Sequence, residues 1–179
     1  MHSIVDFGAG ALRHSFPLLK AGFQVCAVEF EEQFKKPACA EAIRKAEKHA
    51  NFCKLIWPGD FKKDRRRFDA ALLCYVIQTM PLQKERESVL KILRDKLRDD
   101  SYLLMMSRYG QISGIPKEQA VEDGFYMWPA RDAHSFYTEF TTEETHTMVG
   151  AYGFRRLKSM SERGTDQVFL YGKGGSTWI

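Results

Sequence analysis

The stretch Ser3-Ile4-Val5-Asp6-Phe7-Gly8-Ala9-Gly10 passes from an apolar run into two glycines. The run predicts a buried strand, because β-branched and aromatic side chains dominate it. Because glycine lacks a Cβ atom, the two glycines let the backbone turn sharply and approach a ligand closely. A helix is predicted from about Leu12 to Ala21, where Gly22 would end it. Strand, glycine turn and helix together predict the opening unit of an α/β fold.

Short apolar runs alternate with helical patterns through the rest of the chain. Four further strands are predicted from these runs, at residues 24–29, 51–57, 68–75 and 102–107. Helices are predicted from Pro37 to about Ala50 and over residues 82–97, which carry a regular apolar stripe. Thr141 and Glu144 have the spacing of a capping box, which begins a last helix. Two closing strands, residues 154–160 and 167–171, are joined by a short turn and predict an antiparallel pair.

The composition is typical of one folded domain. The chain has 179 residues, of which 44% are hydrophobic and 28% charged, a size that a single core serves. Its longest apolar runs are far shorter than the roughly 20 residues that cross a bilayer. No secretory signal is visible at residues 1–6. We therefore predict a single cytoplasmic domain over residues 1–179, with no membrane contact.

Cysteine spacing argues against two kinds of site, whereas net charge alone decides nothing. None of the four cysteines forms a C-x-x-C pair, so we predict buried free thiols and neither a metal site nor a disulfide framework. The formal net charge of +4 is well below that of a strongly basic nucleic-acid binder. A basic run at residues 62–67 must return to the beginning of the fourth strand. We therefore predict that the run is solvated and that residues 65–67 lie near the sheet edge opposite the ligand site.

An acidic residue completes the pattern around the glycine turn. Glu29 ends the second predicted strand, about 20 residues beyond the glycines, where a carboxylate can accept hydrogen bonds from two ribose hydroxyls. A dinucleotide site would have a third glycine where this chain has Arg13, whose side chain would crowd the helix against the strand. The residues therefore predict a nucleoside-containing ligand. A nicotinamide dinucleotide is disfavoured but stays open.

In order and spacing, these features resemble the class I S-adenosylmethionine-dependent methyltransferases. The resemblance covers essentially the whole chain and is carried by residues 6–10, Glu29, Gly59-Asp60-Phe61, residues 68–76 and Gly153-Phe154. It implies an α/β fold, a seven-stranded doubly wound sheet with helices on both faces. The implied strand order is 3-2-1-4-5-7-6, with strand 7 antiparallel.

The resemblance also implies the cofactor, S-adenosylmethionine, with S-adenosylhomocysteine as the product. The glycine turn would line its methionine and ribose, and Glu29 would hold the ribose hydroxyls. Asp60 would accept from the adenine amino group. The tip of the fourth strand would face the transferred methyl. The cofactor-binding residues implied in this way are Asp6, Gly8, Ala9, Gly10, Glu29, Phe30, Asp60, Phe61, Leu73, Cys74 and Tyr75.

Residues for the methyl acceptor are expected at the strand tips and in the aromatic segment 108–140. Long segments of this kind inside compact domains are usually functional, so we predict a lid that binds substrate. The predicted substrate-binding residues are Gln78, Arg108, Tyr109, Trp128 and Arg131, and the predicted catalytic residues are Tyr75, His134 and Tyr137. The aromatic residues could instead only pack the lid onto the domain.

The class of acceptor follows from what the fourth strand lacks. The tip Cys74-Tyr75-Val76-Ile77-Gln78 has neither the paired prolines of DNA amino-methyltransferases nor a proline before the cysteine, as cytosine-C5 enzymes have. A small or medium-sized acceptor is therefore expected. Two alternatives stay open: an RNA or DNA methyltransferase, and a non-catalytic subunit that binds the cofactor for a partner chain.

The beginning of the chain raises a further expectation. The first strand lies almost at residue 1, whereas many members of the resembled family have a helix ahead of it that covers the cofactor. We therefore expect the segment 108–140, a partner chain or a second copy of this chain to cover that side.

Overall fold

The computed structural model describes residues 2–110, 120–121, 124–127, 135–161 and 166–174. Its strands are β1 (Ser3–Phe7), β2 (Gln24–Glu29), β3 (Phe52–Ile56), β4 (Phe68–Cys74), β5 (Leu97–Arg108), β6 (Ala120–Val121), β7 (Gly124–Met127), β8 (Ser135–Tyr137), β9 (Phe154–Ser161) and β10 (Asp166–Lys173). Its helices are α1 (Ser15–Lys20), α2 (Glu31–Lys35), α3 (Pro37–Ala46), α4 (Gly59–Lys63), α5 (Gln83–Lys96) and α6 (Thr142–Gly150), with a 3-10 turn at Ile77–Thr79.

The central sheet has the predicted topology. Among the described residues, seven strands pair in the order β3-β2-β1-β4-β5-β10-β9. Strands β1 to β5 pair in parallel, whereas β10 runs antiparallel to both β5 and β9. Since β9 and β10 are the sixth and seventh predicted strands, the order 3-2-1-4-5-7-6 with an antiparallel strand 7 is confirmed.

Helices cover both faces of this sheet because strand residues alternate between two cores. On β2, Cys26 and Val28 pack with the α5 residues Leu90 and Leu93. The alternate residues of β2 pack in a second cluster with Leu19 of α1 and Ile43 of α3. With both faces covered, the ends of the strands are the places where a cleft can open.

Helix boundaries differ from the sequence prediction at two places. Helix α1 begins at Ser15 rather than near Leu12, because Leu12 adopts a left-handed φ of 59° and joins a turn. Helix α3 ends at Ala46 rather than near Ala50. There Asn51 donates its side-chain amide to the carbonyl of Phe23 at 2.6 Å, which ties the chain to the beginning of β2. The sequence analysis also missed α2 and α4.

Helices α5 and α6 follow the prediction closely. Helix α5 buries Val89, Leu90 and Leu93, the apolar stripe expected of it. Helix α6 begins at the predicted capping box, in which Thr141 and Glu144 bond reciprocally. No helix in the described part of the chain is both long and apolar enough to cross a bilayer.

Within the segment 108–140, the described residues include a three-stranded antiparallel sheet, β6-β7-β8. The chain that follows β8 is attached to the main domain, since the N–H of Thr138 donates to the carbonyl of Gln78 at 2.8 Å. Phe136 and Tyr137 of β8 are buried. Part of the predicted lid is thus anchored beside the tip of β4.

Candidate functional site

The turn after β1 is built around two glycines with positive φ angles. Gly8 has a φ of 73° and Gly10 a φ of 50°, values that favour glycine. The N–H groups of Gly8 and Ala9 donate to the carbonyl of Val28, which holds the turn against β2. A Cβ atom added at Gly8 would lie 2.3 Å from Cγ2 of Val76, whereas one added at Gly10 would meet nothing within 4 Å. The first glycine is therefore required by packing, and the second lies open.

A cleft of about 690 Å³ opens beside this turn. It lies at the carboxyl ends of β1, β2, β3 and β4 and is bounded by the first half of α5, which contributes Lys84, Glu85 and Ser88. Its volume falls in the range of sites for small ligands and cofactors. Six of the predicted cofactor-binding residues line it: Gly8, Gly10, Glu29, Phe30, Cys74 and Tyr75.

Glu29 is the acidic residue that β2 contributes to the cleft. It is the last residue of β2, and its carboxylate accepts the N–H of Phe30 at 3.0 Å. Burial raises the pKa of Glu29 above its usual range, while the Phe30 N–H and Lys36 oppose that rise. A carboxylate offers about four acceptor positions. Glu29 can therefore accept further hydrogen bonds from hydroxyl groups of a ligand.

An aromatic wall closes the cleft beyond β3. Trp57 follows β3 directly, and its ring packs edge-on against Phe7 at 5.0 Å. The ammonium group of Lys62 lies 5.3 Å from the Trp57 ring centroid. Trp57, Pro58 and Lys62 all line the cleft. A flat aromatic surface of this kind suits a planar base or ring.

The opposite end of the cleft is polar and lies at the tip of β4. Tyr75 has a φ of 61° and donates its N–H to the carbonyl of Met106 at 2.8 Å. The Arg108 guanidinium lies 4.8 Å from the Tyr75 ring centroid and donates to Asp166 at 3.1 Å. A left-handed tyrosine at a strand tip is strained, and such strain concentrates at functional sites.

Two phenols near this end stay protonated at neutral pH. Burial, followed by the charge of Asp166, raises the pKa of Tyr75. Burial and then the charge of Glu139 raise the pKa of Tyr137 to about 12. The Tyr137 hydroxyl is buried and has no hydrogen-bond partner among the described residues. Neither phenol is therefore a base at neutral pH, and Tyr75 is the one that lines the cleft.

Comparisons with known proteins bear on this geometry. Neither a protein-family model nor a curated protein matches the sequence. Solved structures do match over nearly the whole chain. A methyltransferase from Methanosarcina mazei that depends on S-adenosylmethionine is 17% identical, with a TM-score of 0.72; the match covers 96% of this chain and 92% of that one. The chain has the class I methyltransferase fold.

Two further structures with this methyltransferase fold were solved with ligands. The Burkholderia thailandensis 1,6-didemethyltoxoflavin N1-methyltransferase, with its substrate and S-adenosylhomocysteine, is 19% identical; the match covers 97% of this chain and 72% of that one, with a TM-score of 0.69. A glycopeptide N-methyltransferase complexed with sinefungin is 13% identical, covering 98% and 81%, with a TM-score of 0.71. At these identities the likeness establishes the methyltransferase fold alone.

Within the methyltransferase fold, several predicted cofactor residues lie behind the cleft rather than on its wall. Asp6 is 1% exposed and accepts the hydroxyl of Ser15 at 2.6 Å. Burial raises the pKa of Asp6. Its carboxylate thus joins β1 to the first residue of α1 and positions the glycine turn. Ala9, Phe61 and Leu73 are buried in the core, which leaves only their backbone atoms for a ligand.

The predicted adenine and acceptor residues also differ in placement. Asp60 is exposed on α4, and its carboxylate lies 3.4 Å from the N–H of Ile56. Gln78 is buried, and its side-chain amide oxygen accepts the backbone N–H of Arg108 at 3.1 Å. Tyr109 is exposed beyond the end of β5. The remaining predicted residues, Trp128, Arg131 and His134, lie outside the described residues.

Sequence reasoning missed several residues that line the cleft, among them Gln33, Trp57, Lys62, Thr79 and Lys84. One signal pointed to Trp57, which directly follows a strand and precedes the predicted adenine-binding residues. Nothing in the sequence marks the residues of α5, because their place depends on how that helix packs across the sheet. The structure thereby gives the cleft a wall that no motif encodes.

Two of the three arginines predicted for the opposite edge of the sheet are placed there. Arg66 and Arg67 line a separate pocket together with the first residues of β1 to β4, which places them at the amino edge of the sheet. Arg67 donates to the carbonyls of Asp95 and Leu97. Lys62, at the beginning of the basic run, lines the ligand cleft instead. Arg66 and Arg67 therefore contribute nothing to the mouth of the ligand cleft.

Proposed function

We propose that this chain is an S-adenosylmethionine-dependent methyltransferase that acts on a small or medium-sized acceptor. One observation carries the proposal: the glycine turn, Glu29 and the tip of β4 face a single cleft in a methyltransferase fold. Two of the similar structures hold S-adenosylhomocysteine or sinefungin, which supports the choice of cofactor.

The residues present fit this cofactor. The volume of about 690 Å³ accommodates a ligand of nucleoside size with room beside it. Glu29 would accept from the ribose hydroxyls, and the open backbone at Gly10 would face the methionine portion. We assign the adenine to the wall formed by Trp57 and Pro58, with Asp60 at its exposed side. Cys74 and Tyr75 would then face the methyl group.

When bound, the cofactor supplies an activated methyl group, so the chain's own task is to orient the acceptor and to exclude water. Tyr75 and the unpartnered Tyr137 hydroxyl would hold the acceptor as hydrogen-bond donors. Because both phenols stay protonated, neither removes a proton from it. This favours a nucleophile that is reactive when neutral, such as an amine. His134 is our proposed base where the acceptor must lose a proton.

The segment 108–140 is our proposed lid over a single domain. Thr138 is anchored at Gln78, and the neighbouring Tyr137 is our proposed donor to an acceptor at this end of the cleft. Arg108, at the end of β5, would orient the acceptor. The lid residues Trp128 and Arg131 would contact it. We also propose that the protein is cytoplasmic.

One observation favours a second candidate, a cofactor-binding subunit that serves a partner chain or a second copy. Phe30 is 50% exposed where it lines the cleft, and such an apolar side chain can contact a covering polypeptide. Nucleic acid is a weaker alternative, because Arg66 and Arg67 lie at the other edge of the sheet.

Calorimetric titration with S-adenosylhomocysteine tests the proposal, with NAD as the control ligand. We expect micromolar binding to the wild type and none of NAD. Glu29→Gln should weaken binding by about 10- to 100-fold, because a hydrogen bond to a charged group contributes roughly 1.5–3 kcal/mol. The matched control is Glu32→Gln on α2, whose side chain is exposed and does not line the cleft. Binding of NAD alone, or equal loss in both variants, would contradict the proposal.

A further inference from the structure

Two thiols lie side by side at the amino edge of the sheet, away from the ligand cleft. Cys26 on β2 and Cys53 on β3 are direct partners in the parallel register. Neighbouring strands are about 4.8 Å apart, a separation that a disulfide can span. Both residues also line a pocket of about 400 Å³. The backbone thus already holds the two sulfur atoms in reach of each other.

An arginine is held against this pair. One guanidinium nitrogen of Arg66 donates to the Cys53 sulfur at 3.0 Å, and another lies 3.9 Å from the Cys26 sulfur. The Asp64 carboxylate accepts from Nε of Arg66 at 2.8 Å and from its backbone N–H at 2.7 Å. Asp64 therefore fixes the direction of the guanidinium, which points at the sulfur atoms.

The surroundings make the two thiols unequal. The hydrogen bond from Cys26, followed by contact with Arg66, lowers the pKa of Cys53 below its usual range, against the opposing effects of burial and Asp64. The same hydrogen bond, together with burial, raises the pKa of Cys26. Neutral pH therefore favours a thiolate at Cys53 beside a protonated thiol at Cys26. This is the arrangement of a nucleophile next to a resolving thiol.

The pocket gives a small molecule access to the nucleophile. Cys53 is half-buried, whereas Cys26 is 2% exposed. Arg67 and Arg98 also line the pocket, with Arg98 paired to Asp69 at 2.6 Å. Negative charge that develops on a leaving oxygen would be stabilised there by the guanidinium groups.

We propose that Cys53 is a modification site that takes a hydroperoxide, with Cys26 as its resolving thiol. The Cys53 sulfur attacks one peroxide oxygen, the O–O bond breaks, and the other oxygen leaves as hydroxide or alkoxide. The resulting sulfenic acid is attacked by the Cys26 sulfur, which forms the disulfide. The hydroxyl leaves as water with the proton of the Cys26 thiol. Two electrons pass from the dithiol to the peroxide.

This inference goes beyond methyl transfer and uses none of the cleft residues. Cys74 lines the cleft, and burial followed by the charge of Asp6 raises its pKa to about 12. Cys39 is buried on α3. The chain thus contains two cysteines with which the reactivity of Cys53 can be compared.

Peptide mapping after oxidation tests the proposal on the full chain. Reduced protein is treated with equimolar hydrogen peroxide, alkylated and analysed by mass spectrometry. We expect a Cys26–Cys53 disulfide, with Cys39 and Cys74 recovered alkylated. In Cys26→Ser with dimedone present, the adduct should lie on Cys53. Oxidation that begins at Cys39 or Cys74, or that leaves Cys53 free, would overturn the proposal.

A rate measurement covers the case in which Cys26→Ser does not fold. At pH 7, alkylation of wild-type Cys53 should be faster than that of Cys39 and Cys74. Arg66→Gln should slow alkylation of Cys53 about tenfold at pH 5, because below the lowered pKa of Cys53 one unit of pKa changes the thiolate fraction about tenfold. Arg65→Gln is the control, because Arg65 is exposed and does not line the pocket. Equal rates for the three cysteines, or equal slowing by the two arginine variants, would contradict the inference.

Discussion

At the carboxyl edge of the central sheet, two glycines, an aromatic wall and Glu29 border a cleft of about 690 Å³. At the amino edge of the same strands, three arginines and two thiols line a pocket of about 400 Å³. The cleft at the carboxyl edge depends on backbone conformation, because Gly8 has a positive φ and lies against Val76. The pocket at the amino edge depends on side chains that pair across neighbouring strands and loops. One sheet therefore supports two sites whose sensitivities to substitution differ.

The largest expected effect is that of Gly8→Ala, which changes the backbone conformation beside the cleft. Its Cβ would lie 2.3 Å from Val76 at a φ of 73°, so we expect the affinity for S-adenosylhomocysteine to fall more than about 100-fold. Strain and overpacking should also cost on the order of 1–3 kcal/mol of stability. Calorimetry and thermal unfolding measure the two effects.

Gly22→Ala is the matched control for this comparison. Gly22 also has a positive φ, 87°, but a Cβ atom there meets nothing within 4 Å. It lies beside the beginning of β2, at the amino edge. This variant should lose stability of about 1 kcal/mol and keep its affinity for the ligand. Equal loss of affinity in both variants would show that backbone strain acts through stability and not through the cleft.

The next effect separates the acceptor end from the cofactor end of the cleft. Arg108→Met removes the group that lies over Tyr75 and binds Asp166. We expect kcat/KM for an acceptor to fall about 10- to 100-fold, since a hydrogen bond to a charged group is lost. Affinity for S-adenosylhomocysteine should change less than about threefold. If cofactor affinity fell as far as turnover, the two ends would not be separable.

The smallest effect is a dependence of ligand affinity on pH. Burial raises the pKa of Glu29, so its carboxylate gains a proton at a higher pH than an exposed one would. Affinity for S-adenosylhomocysteine should be constant above this pKa and fall, by up to about tenfold per unit, as the pH drops through it. Titrations from pH 8 down to pH 5 measure the dependence. Glu29→Gln should be flat over that range; the same slope in this variant would assign the titration to another group.

Much of the fold could be predicted because it depends on local patterns. The alternation of apolar runs with helical stripes placed the seven strands of the central sheet, and the glycine turn lies where the sequence indicated it. Boundaries were less accurate, since Leu12 and Asn51 take positions that depend on tertiary contacts. The segment 108–140 has no regular period, and its β6-β7-β8 sheet was not predicted.

The sequence by itself determined the order of the seven strands of the central sheet, the glycine turn and the acid at the end of β2, because periodicity and the lack of a Cβ atom act within a few residues. Only the tertiary structure decided that Asp6 accepts a hydrogen bond from Ser15 inside the domain and that Trp57 lines the cleft. It alone brought Cys26, Cys53 and Arg66 together. The physical reason is that such contacts depend on strand register and helix packing between residues far apart in the chain.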